Sequence, residues 1–193
     1  MLVDSWDLAP VSRELDNMDK DTIAKAHSLI SKILNDIPTV HTTWIEKKSM
    51  TLGDNSTRQQ LQLLKEHMIP SAPVLHSISN SFSLETCLAH IVEGLQLHVN
   101  LLNEISKSTF LNKTDGVEDL IAEIEELLCL IKKLQNLDQS KQASDKQTHK
   151  HDLAKHLTNK YRTRAAAHLT LHQLQEFGSD VLRSILSMRN MSI

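Results

Sequence analysis

The chain has 193 residues, 40% apolar and 23% charged, a length at which one hydrophobic core stabilises a domain without disulfide staples. A formal net charge of −3 at pH 7 argues against a nucleic-acid footprint, and no apolar run approaches the ~20 residues of a membrane span. Four glycines, four prolines and 3% aromatics are too few for a sandwich or barrel, so the expected class is all-α, a single domain over 1–193.

In chain order, the start from Met1 to Asp7 has neither the basic residues nor the apolar stretch of a secretory leader, so either a cytosolic N-terminus or a mature secreted one is expected. The first helical stretch covers about 12–37, with Leu15, Ile23, Ala26, Ile30, Ile33, Leu34 and Ile37 inward. Pro38, which lacks an N–H and clashes with the preceding turn, is expected to stop it. In the long connection that follows, Thr57 to Met68 reads as a short helix with Leu61 and Leu64 inward, halted by the extended Ile69-Pro70-Ser71-Ala72-Pro73.

The second long helix is predicted over 84–106, with Leu84, Cys87, Leu88, Ile91, Leu95, Val99, Leu102 and Ile105 on one broad face. The third, 116–138, has the clearest amphipathic pattern: Val117, Leu120, Ile121, Ile124, Leu127, Leu128, Ile131 and Leu134. The fourth, 157–189, takes Leu157, Tyr161, Ala165, Leu169, Leu174, Phe177, Val181, Leu182, Ile185 and Met188. About ten residues join the second and third helices, too few to run back along ~33 Å of helix, so these two should be antiparallel. The other two connections, about 45 and about 19 residues, are long enough for overhand crossovers. Together they predict a long-chain four-helix bundle, up-up-down-down, with two long crossovers and a short extra helix in the first.

Catalytic and ligand motifs are hard to find. Gly53, Gly94, Gly116 and Gly178 are isolated, so no phosphate loop forms. His168 and His172 have i, i+4 spacing but no zincin glutamate, and read as surface histidines; His149, His151 and His156 are interleaved with lysines in a polar connection. Glu123, Glu125 and Glu126 lie opposite an apolar stripe and are expected to be exposed, as a solvated or partner-binding face rather than an acid/base pair. Cys87 reads as a buried inert thiol, and Cys129 has no matching partner, so no disulfide is expected. No enzyme activity, metal or cofactor is expected. Sequons at Asn55, Asn112 and Asn190 are possible N-glycosylation sites only in a secreted glycoprotein.

Three segments resemble the interleukin-6 and granulocyte colony-stimulating factor group of long-chain four-helix cytokines. Ile69-Pro70-Ser71-Ala72-Pro73, followed by Cys87-Leu88, Gly94-Leu95-Gln96-Leu97 and Leu101-Leu102, is similar to that group's IP-x-AP and CL…GL-x-L…LL run. Tyr161-Arg162-Thr163-Arg164-Ala165 through Leu169 to Leu174-Gln175-Glu176-Phe177 resembles its last helix, and Ile23 to Asp36 is more weakly similar to its first. The granulocyte colony-stimulating factor branch fits best; the sister interleukin-6 branch shares Glu85-Thr86-Cys87-Leu88. One departure is plain: Ser77 stands where the group's loop bridge to Cys87 would need a cysteine.

The resemblance implies a secreted, extracellular growth factor of the immune response, monomeric alone, that cross-links class I cytokine receptor ectodomains into a 2:2 complex on granulocyte-lineage cells. It implies a major receptor site from Lys25, Ser28, Ser31 and Lys32 on the first helix with Glu123 and Glu126 on the third. It implies a minor site from Gln59 in the crossover and Tyr161 at the start of the fourth helix. Read without the resemblance, Lys25 and Lys32 are solvated lysines and Tyr161 a ring packed on the bundle. Two alternatives stand beside this reading: an interleukin-6-like inflammatory cytokine using a shared signalling receptor, and an intracellular helical adaptor with free thiols.

Overall fold

A computed structural model describes residues 9–45, 58–138 and 153–191, which form helices and connecting coil with no strand among them. Six helices follow in order: α1 (Ala9–Ile45), α2 (Arg58–Met68), α3 (Leu84–Ser106), α4 (Asp115–Asp138), α5 (Leu153–His156) and α6 (Lys160–Met191). The all-α class is as the composition predicts, and α3 has the predicted boundaries.

Side-chain caps explain three of the starts. Ser83 Oγ accepts from Thr86 N at 3.1 Å before α3, and Thr114 Oγ1 accepts from Val117 N at 3.3 Å before α4. Asn159 Oδ1 accepts from Arg162 N at 2.8 Å, which moves the start of the last helix from the expected 157 to Lys160 and leaves α5 as a separate turn.

The larger correction is at Pro38, which does not end the first helix: α1 continues through it to Ile45. An interior proline costs about 3 kcal/mol or more, because the carbonyl one turn back loses its N–H. Against that, Val40, Trp44 and Ile45 are all buried beyond it, and each aliphatic side chain contributes ~1.5–3 kcal/mol. The burial outweighs the break. Pro38 itself is exposed, so the Leu34 carbonyl it leaves unpaired faces the side where water reaches.

The four long helices share one core. α1 packs on α4 and α6, and α3 packs on the same two; α2 lies against α6 and α5 against α3. Along α1 and α4 the residues meet in opposite senses, Lys32 with Glu123 and Val40 with Gly116. The same holds for α1 and α6, where Leu34 meets Gly178 and His41 meets His168. It also holds for α3 and α6, where Gly94 meets Phe177 and His98 meets Gln173.

Two adjacent residues of α6 make close approaches to the neighbouring helices. The tip of the Phe177 ring fills the space over Gly94 that a Cβ would occupy, while at Gly178 a Cβ would come 2.9 Å from Leu34 Cδ2. Beside Phe177, His98 is fully buried: its Nδ1–H donates to Gly94 O at 2.6 Å, and its Nε2 faces the Gln173 amide at 3.4 Å. Gln173 also donates to Pro70 O at 3.0 Å, so one amide ties α6 to α3 and to the coil after α2. Burial pushes His98 down to about 4, so the ring is neutral at physiological pH.

The two glycines should therefore respond differently to alanine. Gly94→Ala drives a methyl into a ring held on all sides and should cost about 1–3 kcal/mol in urea unfolding. Gly178→Ala displaces only the end of a leucine and gains helix propensity of about 1 kcal/mol, so its net effect should be smaller than about 1 kcal/mol.

Candidate partner-binding site

On α1, Ala24, Lys25, Ser28, Leu29 and Lys32 recur at helical spacing and form one stripe. Across from it α4 places Glu126 and Leu130, and these seven residues line a shallow groove of about 430 Å³. Leu29 and Leu130 supply apolar surface and the lysines and Glu126 supply charge. Glu123, one turn before Glu126, completes the set. Of the six residues assigned to a major site, the fold brings Lys25, Ser28, Lys32, Glu123 and Glu126 together; Ser31 is half-buried, with its hydroxyl donating to His27 O at 2.8 Å.

Every lysine of the groove is already paired within the chain. Lys25 meets Asp21 at 3.0 Å, and Lys32 meets both Asp36, at 2.9 Å, and Glu123. Hydrogen bonds to Glu123 and then Asp36 hold Lys32 well above the usual lysine range. With Asp21, Asp36, Glu123 and Glu126 against two lysines, the face has an excess of negative charge.

Glu123 corrects the sequence reading, which expected it exposed. Only 12% of its side chain reaches solvent, and its Oε2 is buried without a hydrogen-bond partner. It lies three residues after Leu120 and four before Leu127, so it sits on the edge of the apolar stripe, where α1 closes over it. Burial pushes its carboxyl above the usual range, and the pull of Lys32 offsets that in part while Asp36 adds to it. Glu125 and Glu126 are exposed as expected.

The remaining assignments are dispersed. Gln59 stands in the first turn of α2, its side chain outside the described residues, and Tyr161 stands in the first turn of α6 with 42% of its surface exposed. These two helices pack against each other. Asn112 is exposed in the coil between α3 and α4, Asn190 is exposed in the last turn of α6, and Asn55 lies outside the described residues. Cys87 is a buried free thiol pushed up by burial, and Cys129 is a free thiol on the exposed side of α4.

The histidines were the least legible. His168 is not on the surface: it is buried at 6% exposure and shares a hydrogen bond with His41. His172, half-exposed, faces Glu176 at 3.8 Å. His156 is half-buried in α5, while His149 and His151 lie outside the described residues. Ending the first helix at Pro38 removes His41 from the pattern that would have placed it inward, four residues after Ile37. Among the described residues no group of three or more His, Cys, Asp or Glu side chains is arranged to hold a metal, and no helix is long and apolar enough to cross a membrane.

No model of a known protein family matches the chain, and no curated protein matches its sequence.

Removing Lys32 from its pair with Glu123 strands the carboxylate, whereas removing Glu123 leaves Lys32 exposed and still paired with Asp36. Lys32→Ala should lower the urea midpoint at pH 7, because the buried carboxylate then has no cation, whereas Glu123→Gln should change stability by less than about 1 kcal/mol. A larger loss for Glu123→Gln than for Lys32→Ala would contradict this ordering. In protein secreted from eukaryotic cells, exposed non-helical Asn112 should carry an N-linked glycan, seen as a mass decrease on enzymatic deglycosylation that Asn112→Gln abolishes.

Proposed function

We propose that this chain is a secreted helical cytokine similar to the granulocyte colony-stimulating factor branch of the interleukin-6 group, acting by cross-linking class I receptor ectodomains. The observation that carries this reading is the convergence of Lys25, Ser28, Lys32, Glu123 and Glu126 on one α1/α4 face, residues chosen from the resemblance and separated by about 90 positions in the chain. The helix pairings support the finer topology as well. With α1 opposed to α4 and α6, and α3 opposed to α6, the helix senses are those expected of the up-up-down-down bundle that this reading calls for.

In this reading the α1/α4 groove is the major receptor surface, and Gln59 and Tyr161 belong to the minor one. The apolar strip of Leu29 and Leu130 between charged rims has the make-up of a protein–protein contact, an apolar centre with a polar edge. The ligand needs no cofactor and performs no catalysis. The sister reading, an interleukin-6-like factor with a shared signalling subunit, uses the same fold. The two free thiols favour a second class, an intracellular adaptor, since a reducing compartment leaves such thiols unpaired.

Binding of the chain to immobilised ectodomains from the same species separates these. Capture by the granulocyte colony-stimulating factor receptor alone supports the proposal, capture by the interleukin-6 receptor chain moves it to the sister branch, and binding to neither favours the adaptor. Glu126→Lys, at an exposed position with no role in the core, should weaken receptor binding about tenfold or more with the helical circular dichroism unchanged. Undiminished binding would remove the α1/α4 face from the site.

A further inference from the structure

Beyond Pro38, α1 is held to α6 by two imidazoles. His41 Nε2 and His168 Nδ1 lie 2.8 Å apart, the rings meet edge to face with centroids 5.1 Å apart, and both side chains are buried. A hydrogen bond between two ring nitrogens holds one proton: one nitrogen donates it and the other offers a lone pair. The donating ring can take a second proton on its far nitrogen and keep the bond, at the cost of a buried charge. Protonation of the accepting nitrogen cannot be accommodated, because two N–H groups would then point at each other across 2.8 Å.

The surroundings supply little to offset such a charge. From α6 come His172, whose ring stacks 6.3 Å from His168, Glu176 beyond it, and Arg164 one turn before. On α1 the residues one turn to either side, Ile37, Pro38, Trp44 and Ile45, are uncharged. α4 contributes Asp115, Glu118 and Asp119 in its first turns, all exposed; α3 contributes His98, engaged with Gln173, and Glu104; α2 contributes Lys65, Glu66 and His67. The charges that bear on the pair are those of histidines, and they repel.

We propose that the His41–His168 contact is an acid-opened latch that fastens the segment of α1 after Pro38 to α6. Pro38 is the natural hinge, because the helix lacks a backbone hydrogen bond there. The segment that moves is 39–45, carrying Val40, His41, Trp44 and Ile45 away from the core. The latch does not depend on the receptor reading: it is a property of this fold whatever its partner.

The sign follows from linkage. Burial first, then the neighbouring histidines, holds both rings below the ordinary imidazole range, His168 down to about 4. A group depressed in the closed state stabilises closure above its free value of 6.5, and that contribution is lost as pH falls from 6.5 toward 4. Glu123, pushed up by burial, has the opposite sign and favours the α1/α4 contact at the level of Lys32 as pH falls, so the part of α1 before Pro38 stays in place.

Amide hydrogen exchange on the full chain at pH 7.5 and pH 5.0, expressed as protection relative to the free-peptide rate at each pH, reads this directly. Residues 39–45 should lose about thirtyfold in protection, the ratio set by one imidazole moving from about 4 closed to 6.5 open. Amides of α3 carry an acid loss of their own, because buried His98 is depressed in the same way, so the latch is read as the part of the 39–45 loss that disappears when both imidazoles of the pair are removed, with helical circular dichroism retained. Unchanged protection at 39–45 would overturn the latch. The folded double variant His41→Phe/His168→Leu should keep 39–45 closed at pH 5.0, and acid opening that persisted in it would overturn the proposal as well.

Discussion

The fold depends on a neighbouring pair in α6, Phe177 and Gly178, which fit two partners at once. Phe177 reaches out to cap Gly94 of α3, and the next residue recedes so that Leu34 and Ile30 of α1 can close in. A bulky side chain and an absent one, side by side, fix the level of α6 against two helices that do not themselves form one of the main contacts. A slip of one helical turn would put the ring against a side chain and bring Leu174 or Leu182 against Leu34 in place of the glycine. The registers of α1 and α3 are therefore linked through α6.

From that linkage the rest of the geometry follows. With α1 placed by Gly178, its Lys32 lies over Glu123 and its Val40 over Gly116, which aligns α4 in turn. The groove between α1 and α4 thus has its shape set by core contacts on the far side of α1, not by its own rim. Its ion pairs are secondary to this: Lys25 and Lys32 are mostly exposed, where pairing contributes little, and only the half-hidden carboxylate of Glu123 depends strongly on its partner.

How far the sequence reveals this depended on which term dominated locally. Where apolar period and cap agree, as at Ser83 and Leu84 through Ile105, the helix was legible to the residue. At Pro38 the local rule failed because Val40, Trp44 and Ile45, read as loop, bury enough surface to offset it. Polar residues inside the core were invisible for a related reason. His98, His168 and Gln173 are satisfied by partners 75 to 127 positions away, which no window of sequence contains. The acidic rim was half legible: Glu126 is exposed as its spacing predicts, whereas Glu123 sits at the boundary of the apolar stripe, where spacing does not decide.

The unequal cysteines have a practical consequence. Cys87 is sealed on the inner face of α3 with its thiol raised by burial, while Cys129 faces outward on α4, three residues from Glu126 and next to Leu130. In the native state a thiol-directed dye therefore attaches at one place and leaves the core untouched. That position is beside the groove, so the chain has its own attachment point for an optical reporter of whatever approaches the α1/α4 face.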